Sequence, residues 1–329
     1  MMNTKKKKFF GTFIIVILLG GLYMLVRSSN IINKNQINQN SNQNSSLTEN
    51  SNSNEAPQET KESYNKLLYR LTIASKKTVN EIYLVDLITS SKKLVFTDAD
   101  EEFSMQFFGG IKGSDLIVFA PILNETTGSI RELKTDGSGG KKDLLENFSA
   151  TAFNVSGDRI AFVSYNNIEG KFSLWLSGLD VKNKKNIYES ETPISDPKIM
   201  DGTIAFVSLD SNANATIMQI DFDGNNKKEI LKGNSETIFS LSYGGNKLAY
   251  IKTPSGGGKE NLAEVYVLNL SDKKEKPITS DKEADQNPVL SPDGNHIAFA
   301  KKGKIWSGKS DGSDIKQYFD GIQPIGFIN

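Results

Sequence analysis

The chain has no cysteine and a single histidine, His296, among its 329 residues. Without cysteine there is no disulfide, no thiolate nucleophile, no thiolate zinc site and no cysteine lipidation. One imidazole excludes HExxH and every other centre that needs a pair of histidines. A Ser-His-Asp relay survives only if His296 serves it. An excess of either charge is also lacking, since 39 basic and 39 acidic side chains cancel. That balance hides a division. Residues 1–63 carry +3 and residues 64–329 carry −3. A mildly acidic body has no basic footprint for a phosphate backbone, so nucleic acid is not an expected partner.

The first residues form a class of their own. Lys5, Lys6, Lys7 and Lys8 precede an uncharged run over residues 9–26, and Arg27 ends it. Eighteen residues make about 27 Å of helix at 1.5 Å per residue, close to the thickness of a hydrocarbon core. The expected organisation is a cytoplasmic basic tail (1–8), a transmembrane signal-anchor (9–27), a disordered linker (28–63) and a folded body (64–329). The positive-inside rule keeps the lysines in the cytoplasm and places the body outside, at the cell membrane. A cleaved signal peptide is the competing reading, but the run exceeds a usual h-region and no A-x-A site follows it. Either way the body is exported. Residues 28–62 hold ten Asn, seven Ser and four Gln, too few apolar side chains to offset the entropy of ordering.

From Tyr64 onward one pattern recurs. An aliphatic-small-aromatic triplet appears at Ile160-Ala161-Phe162, Ile204-Ala205-Phe206, Leu248-Ala249-Tyr250 and Ile297-Ala298-Phe299, with looser copies at Ile117-Val118-Phe119 and Leu67-Leu68-Tyr69. The aromatic positions recur about every 44 residues. A Gly-containing turn precedes most triplets, a second alternating strand follows, then a turn that is often Asp-Gly (Asp136-Gly137, Asp223-Gly224, Asp311-Gly312). A lysine pair commonly opens the last strand, as at Lys92-Lys93 and Lys184-Lys185, where charge discourages edge-to-edge association. Four short strands per repeat, joined by hairpin turns, match a propeller blade better than a β-solenoid coil. The expected fold is all-β, a six-bladed β-propeller.

The stretch Asn287-Pro288-Val289-Leu290-Ser291-Pro292-Asp293-Gly294-Asn295-His296-Ile297-Ala298-Phe299 resembles the WD40-like repeat of TolB-type β-propellers, whose blades carry P-x-W-S-P-D-G-x-x-I-A-F. Leu290 stands where that pattern has an aromatic, and five blades lack Ser-Pro-Asp-Gly. The resemblance implies a propeller of the kind found in TolB and in the non-catalytic domains of prolyl oligopeptidase-like enzymes. Independently, Gln323-Pro324-Ile325 aligns with the start of an inner strand, and the first repeat lacks one. A C-terminal strand closing the first blade is therefore expected.

Motifs of chemistry are scarce. His296 sits between a turn and a strand, where a solvated polar residue is expected, and no G-x-S-x-G elbow accompanies it. Asp221-Phe222-Asp223-Gly224 suggests a calcium loop, but its twelfth position is Lys232 rather than Glu, so a hairpin turn is expected. The clusters Gly137-Ser138-Gly139-Gly140 and Gly256-Gly257-Gly258-Lys259 lack the P-loop spacing. Trp175 and Trp306 are expected in packing rather than on a sugar platform. No metal or cofactor is implied. What remains is the ring of inner-strand starts, where Gln106, Thr151, Asp196, Ile238, Asn287 and Gln323 align. Five of these are polar, and Gln106, Thr151, Asp196, Asn287 and Gln323 are the candidate ligand-binding residues. The expected role is a non-catalytic protein-binding or scaffolding module of the cell envelope, with an envelope protein or peptide as partner. A cell-wall or surface glycan-binding module and a carboxylate-using lyase or hydrolase are the alternatives.

Overall fold

The computed structural model describes residues 64–328, apart from residues 75–77, 98–108, 113–114, 122–126, 137, 139–141, 235, 255–261 and 282. The expected tail, anchor and linker lie outside the described residues. Among those described, no helix is long and apolar enough to cross a membrane.

The described strands form four-stranded antiparallel sheets. One contains β1 (Lys66–Ala74), β2 (Thr78–Asp86) and β3 (Lys92–Thr97). Next come β4 (Gly109–Lys112), β5 (Asp115–Pro121), β6 (Thr127–Lys134) and β7 (Lys142–Ser149), followed by β8 (Ala152–Ser156), β9 (Arg159–Asn166), β10 (Lys171–Gly178) and β11 (Lys185–Ser190). Another set is β12 (Ile194–Met200), β13 (Thr203–Leu209), β14 (Ala215–Asp221) and β15 (Lys228–Lys232). The set after it is β16 (Glu236–Gly244), β17 (Lys247–Pro254), β18 (Glu264–Asn269) and β19 (Glu275–Pro277). The last is β20 (Asp285–Leu290), β21 (His296–Lys301), β22 (Lys304–Lys309) and β23 (Lys316–Asp320). The remaining strand, β24 (Gln323–Ile328), returns to the first sheet, whose order is β24-β1-β2-β3. Lys66 faces Ile328, and Arg70 faces Gln323.

Each sheet uses both faces. Its apolar side chains meet those of the sheets before and after it, so the core is distributed over the gaps between sheets. Ala161 and Val163 pack with Ile194, Ile199 and Phe206 of the following sheet. Leu241, Leu248 and Tyr250 pack with Met200 and Ala205 of the preceding one. The same alternation brings Ala298 and Ile305 onto Leu67 and Tyr69, across the two ends of the folded region. The triplet read from sequence is the source of this packing. Its small residue lets the neighbouring sheet approach, and its aromatic residue fills the gap. Ala161, Ala205, Ala249 and Ala298 are fully buried, as are Phe206, Tyr250 and Tyr69. Several of these aromatics stack on a residue of the third strand: Tyr69 on Tyr83 at 5.6 Å, Phe162 on Trp175 at 6.2 Å and Tyr250 on Tyr266 at 6.1 Å. Trp175 thus serves in packing, with its Nε1 donating to Ser164 Oγ at 2.9 Å.

The lysine pairs do more than guard an edge. Lys92 and Lys184 lie over Tyr83 and Trp175 of their own sheets. Their neighbours reach the next sheet instead. Lys93 donates to the Asp136 carbonyl, and Lys185 pairs with the Asp223 carboxylate at 2.6 Å. The Asp-Gly turn docks so closely there that a Cβ on Gly224 would lie 2.7 Å from the Ile187 carbonyl oxygen.

Candidate functional site

Antiparallel order puts the start of every inner strand at one end of its sheet, together with the turn between second and third strands. The candidate residues among those described, Thr151, Asp196, Asn287 and Gln323, belong to this end. In β12, Ser195 faces Val207 and Lys198 faces Ala205, so three residues span the space of two. The same bulge recurs in β16 between Phe239 and Ser242, and in β20 between Gln286 and Val289. Its second residue is left-handed each time: Asp196 at φ +49°, Ser240 at +60° and Asn287 at +51°. Short polar side chains tolerate that region best, and a bulge re-aims the side chain it carries.

The sequence alignment is corrected by this register. Asp196 and Asn287 are equivalent as expected, but their partner in β16 is Ser240, two residues past Ile238. Ile238 is buried. Gln323 aligns one residue earlier, with Ser195 and Gln286, because it faces Arg70 as they face Val207 and Ala300, and its strand bulges between Pro324 and Gly326. Thr151 is exposed just before β8, with its backbone N–H on the Val163 carbonyl at 2.8 Å and its Oγ1 on the same oxygen at 3.3 Å. Gln106 lies outside the described residues. Ser240 was missed because nothing in side-chain type marks a register shift.

The local chemistry is polar with one apolar neighbour. Asp196 accepts from Ser195 Oγ at 3.3 Å, and Asn287 Nδ2 donates to the Ile322 carbonyl at 3.4 Å. Burial holds the Lys198 ammonium below the usual lysine range, while Asp196 opposes that shift. Phe239, beside Ser240, is 37% exposed. A recess of about 210 Å³ opens between Gln286, Ala300, Lys301, Gly303 and Ile322.

At the same end, three carboxylates from separate segments converge: Glu264, Asp281 and Asp285. Burial pushes the Asp285 carboxyl up to about 7, against the moderating influence of Thr279 and Lys301. No spacing motif announced this cluster, since its members come from a strand start, a connection and another strand start.

Of the other sequence motifs, those at Asp221 and Asp293 resolve as turns, while residues 256–258 and most of the 137–140 cluster lie outside the described residues. Asp221 Oδ1 accepts the backbone N–H groups of Asp223 and Asn225, at 3.0 and 2.7 Å, in a hairpin turn. Ser291 Oγ donates to Asp293 Oδ1 at 2.5 Å and accepts the His296 backbone N–H at 2.9 Å. These partners serve the turn rather than a relay through the imidazole. His296 itself is half-buried against Phe327, ring centres 6.3 Å apart, rather than solvated as expected.

No protein-family model matches the chain. No curated protein matches it either. Solved structures do. TolB from Acinetobacter baumannii superposes with a TM-score of 0.60 at 13% identity, over 80% of this chain and 66% of that one. A putative TolB from Agrobacterium tumefaciens gives 0.57 at 14%, over 79% and 94%. A chain of a nidogen/laminin complex gives 0.57 at 10%, over 80% and 97%. At these identities the likeness establishes the fold, a TolB-like β-propeller.

Proposed function

We propose that the chain is a non-catalytic protein-binding module of the cell envelope: a six-bladed propeller closed by β24, exported and held by residues 9–26 with the N-terminus in the cytoplasm. The observation that carries the binding role is the repeated left-handed bulge at Asp196, Ser240 and Asn287 on one end of the sheets. A non-glycine residue in that region costs about 1–3 kcal/mol and persists where the surroundings or a function require it. Here it turns three short polar side chains out of the pleat, with exposed Phe239 beside one of them and a recess beside another. Hydrogen-bonding groups around an apolar anchor suit a peptide segment. One structural neighbour was solved in a protein–protein complex, nidogen with laminin, which agrees with this reading.

A second reading rests on Phe239 alone. An exposed aromatic ring beside polar groups is also a stacking platform for a sugar, so a wall or surface glycan is the alternative ligand.

A photo-crosslinking side chain at Asn287 or Ser240 of the full chain, in its own membranes, tests the first reading. It is expected to capture one defined polypeptide, while the same group at Asp158 on the opposite end captures none. Equal capture from both ends rejects this end of the sheets as the site. Retention of purified wall glycan, lost in Phe239→Ala, replaces protein by glycan.

A further inference from the structure

Glu264 opens β18, Asp285 opens β20, and Asp281 lies on the connection between β19 and β20. One carboxylate oxygen from each lies within 4.8 Å of the other two. Asp285 is 0% exposed, and neither of its oxygens has a hydrogen-bond partner. The Thr279 hydroxyl is nearby but accepts the Val265 backbone N–H at 2.9 Å and does not meet hydrogen-bond geometry with Asp285. Lys301 is the cation at hand. Its Nζ pairs with Asp281 and lies 3.5 Å from Glu283, which leaves Asp285 facing the other carboxylates without a direct counter-charge. A buried carboxylate in that position is costly unless something replaces the water it lost.

We propose that Glu264, Asp281 and Asp285 bind a hard divalent cation, with calcium the best fit, that staples the fifth sheet to the sixth. The donor set is oxygen only, which selects calcium, manganese or magnesium over zinc or copper. Oxygens on a sphere of about 2.3–2.6 Å around calcium lie up to roughly 5 Å apart, which contains the observed spread. Around magnesium, at about 2.0–2.1 Å, they lie within about 4.2 Å. Asp281 supplies the way in, since its side chain remains 47% exposed while Asp285 is enclosed. Water completes the shell on that open side. The cation ties β18, the third strand of one sheet, to β20, the inner strand of the next, a structural role independent of what the bulged ends of the inner strands bind.

The full chain, stripped with EDTA and returned to buffer, is titrated with calcium and with manganese by equilibrium dialysis, with thermal unfolding followed in parallel. The expected result is saturable uptake of one of these ions at one site, with a rise in Tm that EDTA reverses. Asp285→Asn is expected to weaken uptake at least about tenfold, in line with removal of one ligand. Asp281→Asn changes a half-exposed side chain and leaves Lys301 with Glu283 at 3.5 Å, so it decides the matter should Asp285→Asn fail to fold. Absence of saturable uptake of both ions by the unaltered protein overturns the site. So does uptake that Asp281→Asn leaves unchanged.

Discussion

Asn154 Oδ1 accepts the backbone N–H of Ile199 at 2.9 Å, across the gap between two consecutive sheets. Ser242 Oγ does the same for Leu290 N–H at 3.0 Å, two sheets further on. The four residues occupy matching places, since Asn154 and Ser242 face Ala161 and Ala249, and Ile199 and Leu290 face Ile204 and Ile297. Inner strands have one edge without a ladder partner, so their inward N–H groups need another acceptor. Asn154→Ala and Ser242→Ala are each expected to cost about 1–3 kcal/mol, because a donor is left unsatisfied. Denaturant unfolding measures this. Losses under about 0.5 kcal/mol in both variants would show that solvent in the channel satisfies the N–H equally well.

Glycine substitutions are expected to separate conformational strain from close approach. Gly245 is left-handed at φ +49°, and a Cβ there would sit 1.9 Å from the Asp293 carbonyl oxygen. Gly202 is left-handed too, at φ +74°, with nothing within 4 Å. Gly202→Ala is expected to cost about 1 kcal/mol, and Gly245→Ala more than about 3 kcal/mol. Similar losses at both positions, read from Tm, would mean that the neighbouring Asp293 turn moves aside freely.

Removal of Gln323–Asn329 leaves β1 without its inner partner and uncovers Leu67 and Tyr69. Phe327 and Ile328 alone account for about 4 kcal/mol of lost burial. For a body of this size that lowers Tm by about 10 °C. An unchanged Tm for the shortened chain would sink the closing role of β24.

Acid is expected to loosen the turn at Asp293. Burial alone raises the carboxyl, but the Ser291 hydroxyl and the Asn295 N–H and amide groups outweigh it and hold the group below its ordinary value. A depressed carboxylate contributes stability that is complete above the unfolded value near 4 and fades as pH falls through the folded one. The Asp293→Asn variant should therefore lose less stability than the parent between about pH 4 and pH 2. Parallel stability curves for the two proteins across that window would contradict the assignment.

Much of the fold was legible because its determinants are side-chain types at a fixed period. The alanine and aromatic of the four clear triplets, the Asp-Gly turns at Asp223 and Asp311 and the returning strand at Gln323 announce themselves in the sequence and stand where expected. The bulges do not, since a three-for-two register depends on which residues pair, and Ser240 looks like any strand serine. The acidic cluster was hidden for a related reason. Glu264, Asp281 and Asp285 are neither evenly spaced nor on one element, and only the path from β19 to β20 unites them. Edge protection accounts for only part of what the lysine pairs do: the neighbouring sheet's turn lies within their reach, so Lys93 and Lys185 act as clasps.

The pairing of Lys66 with Ile328 also sets an order of events. β1 is synthesised early, but its inner neighbour emerges about 260 residues later. At about 5–20 residues per second that delay is on the order of 10–50 s. Throughout it the middle sheets can form while the first waits with an open edge. The last sheet-to-sheet gap also stays uncovered, with Tyr69 exposed. Completion thus acts as a timer on the whole body, and the waiting edge is the interval in which a chaperone has something to hold.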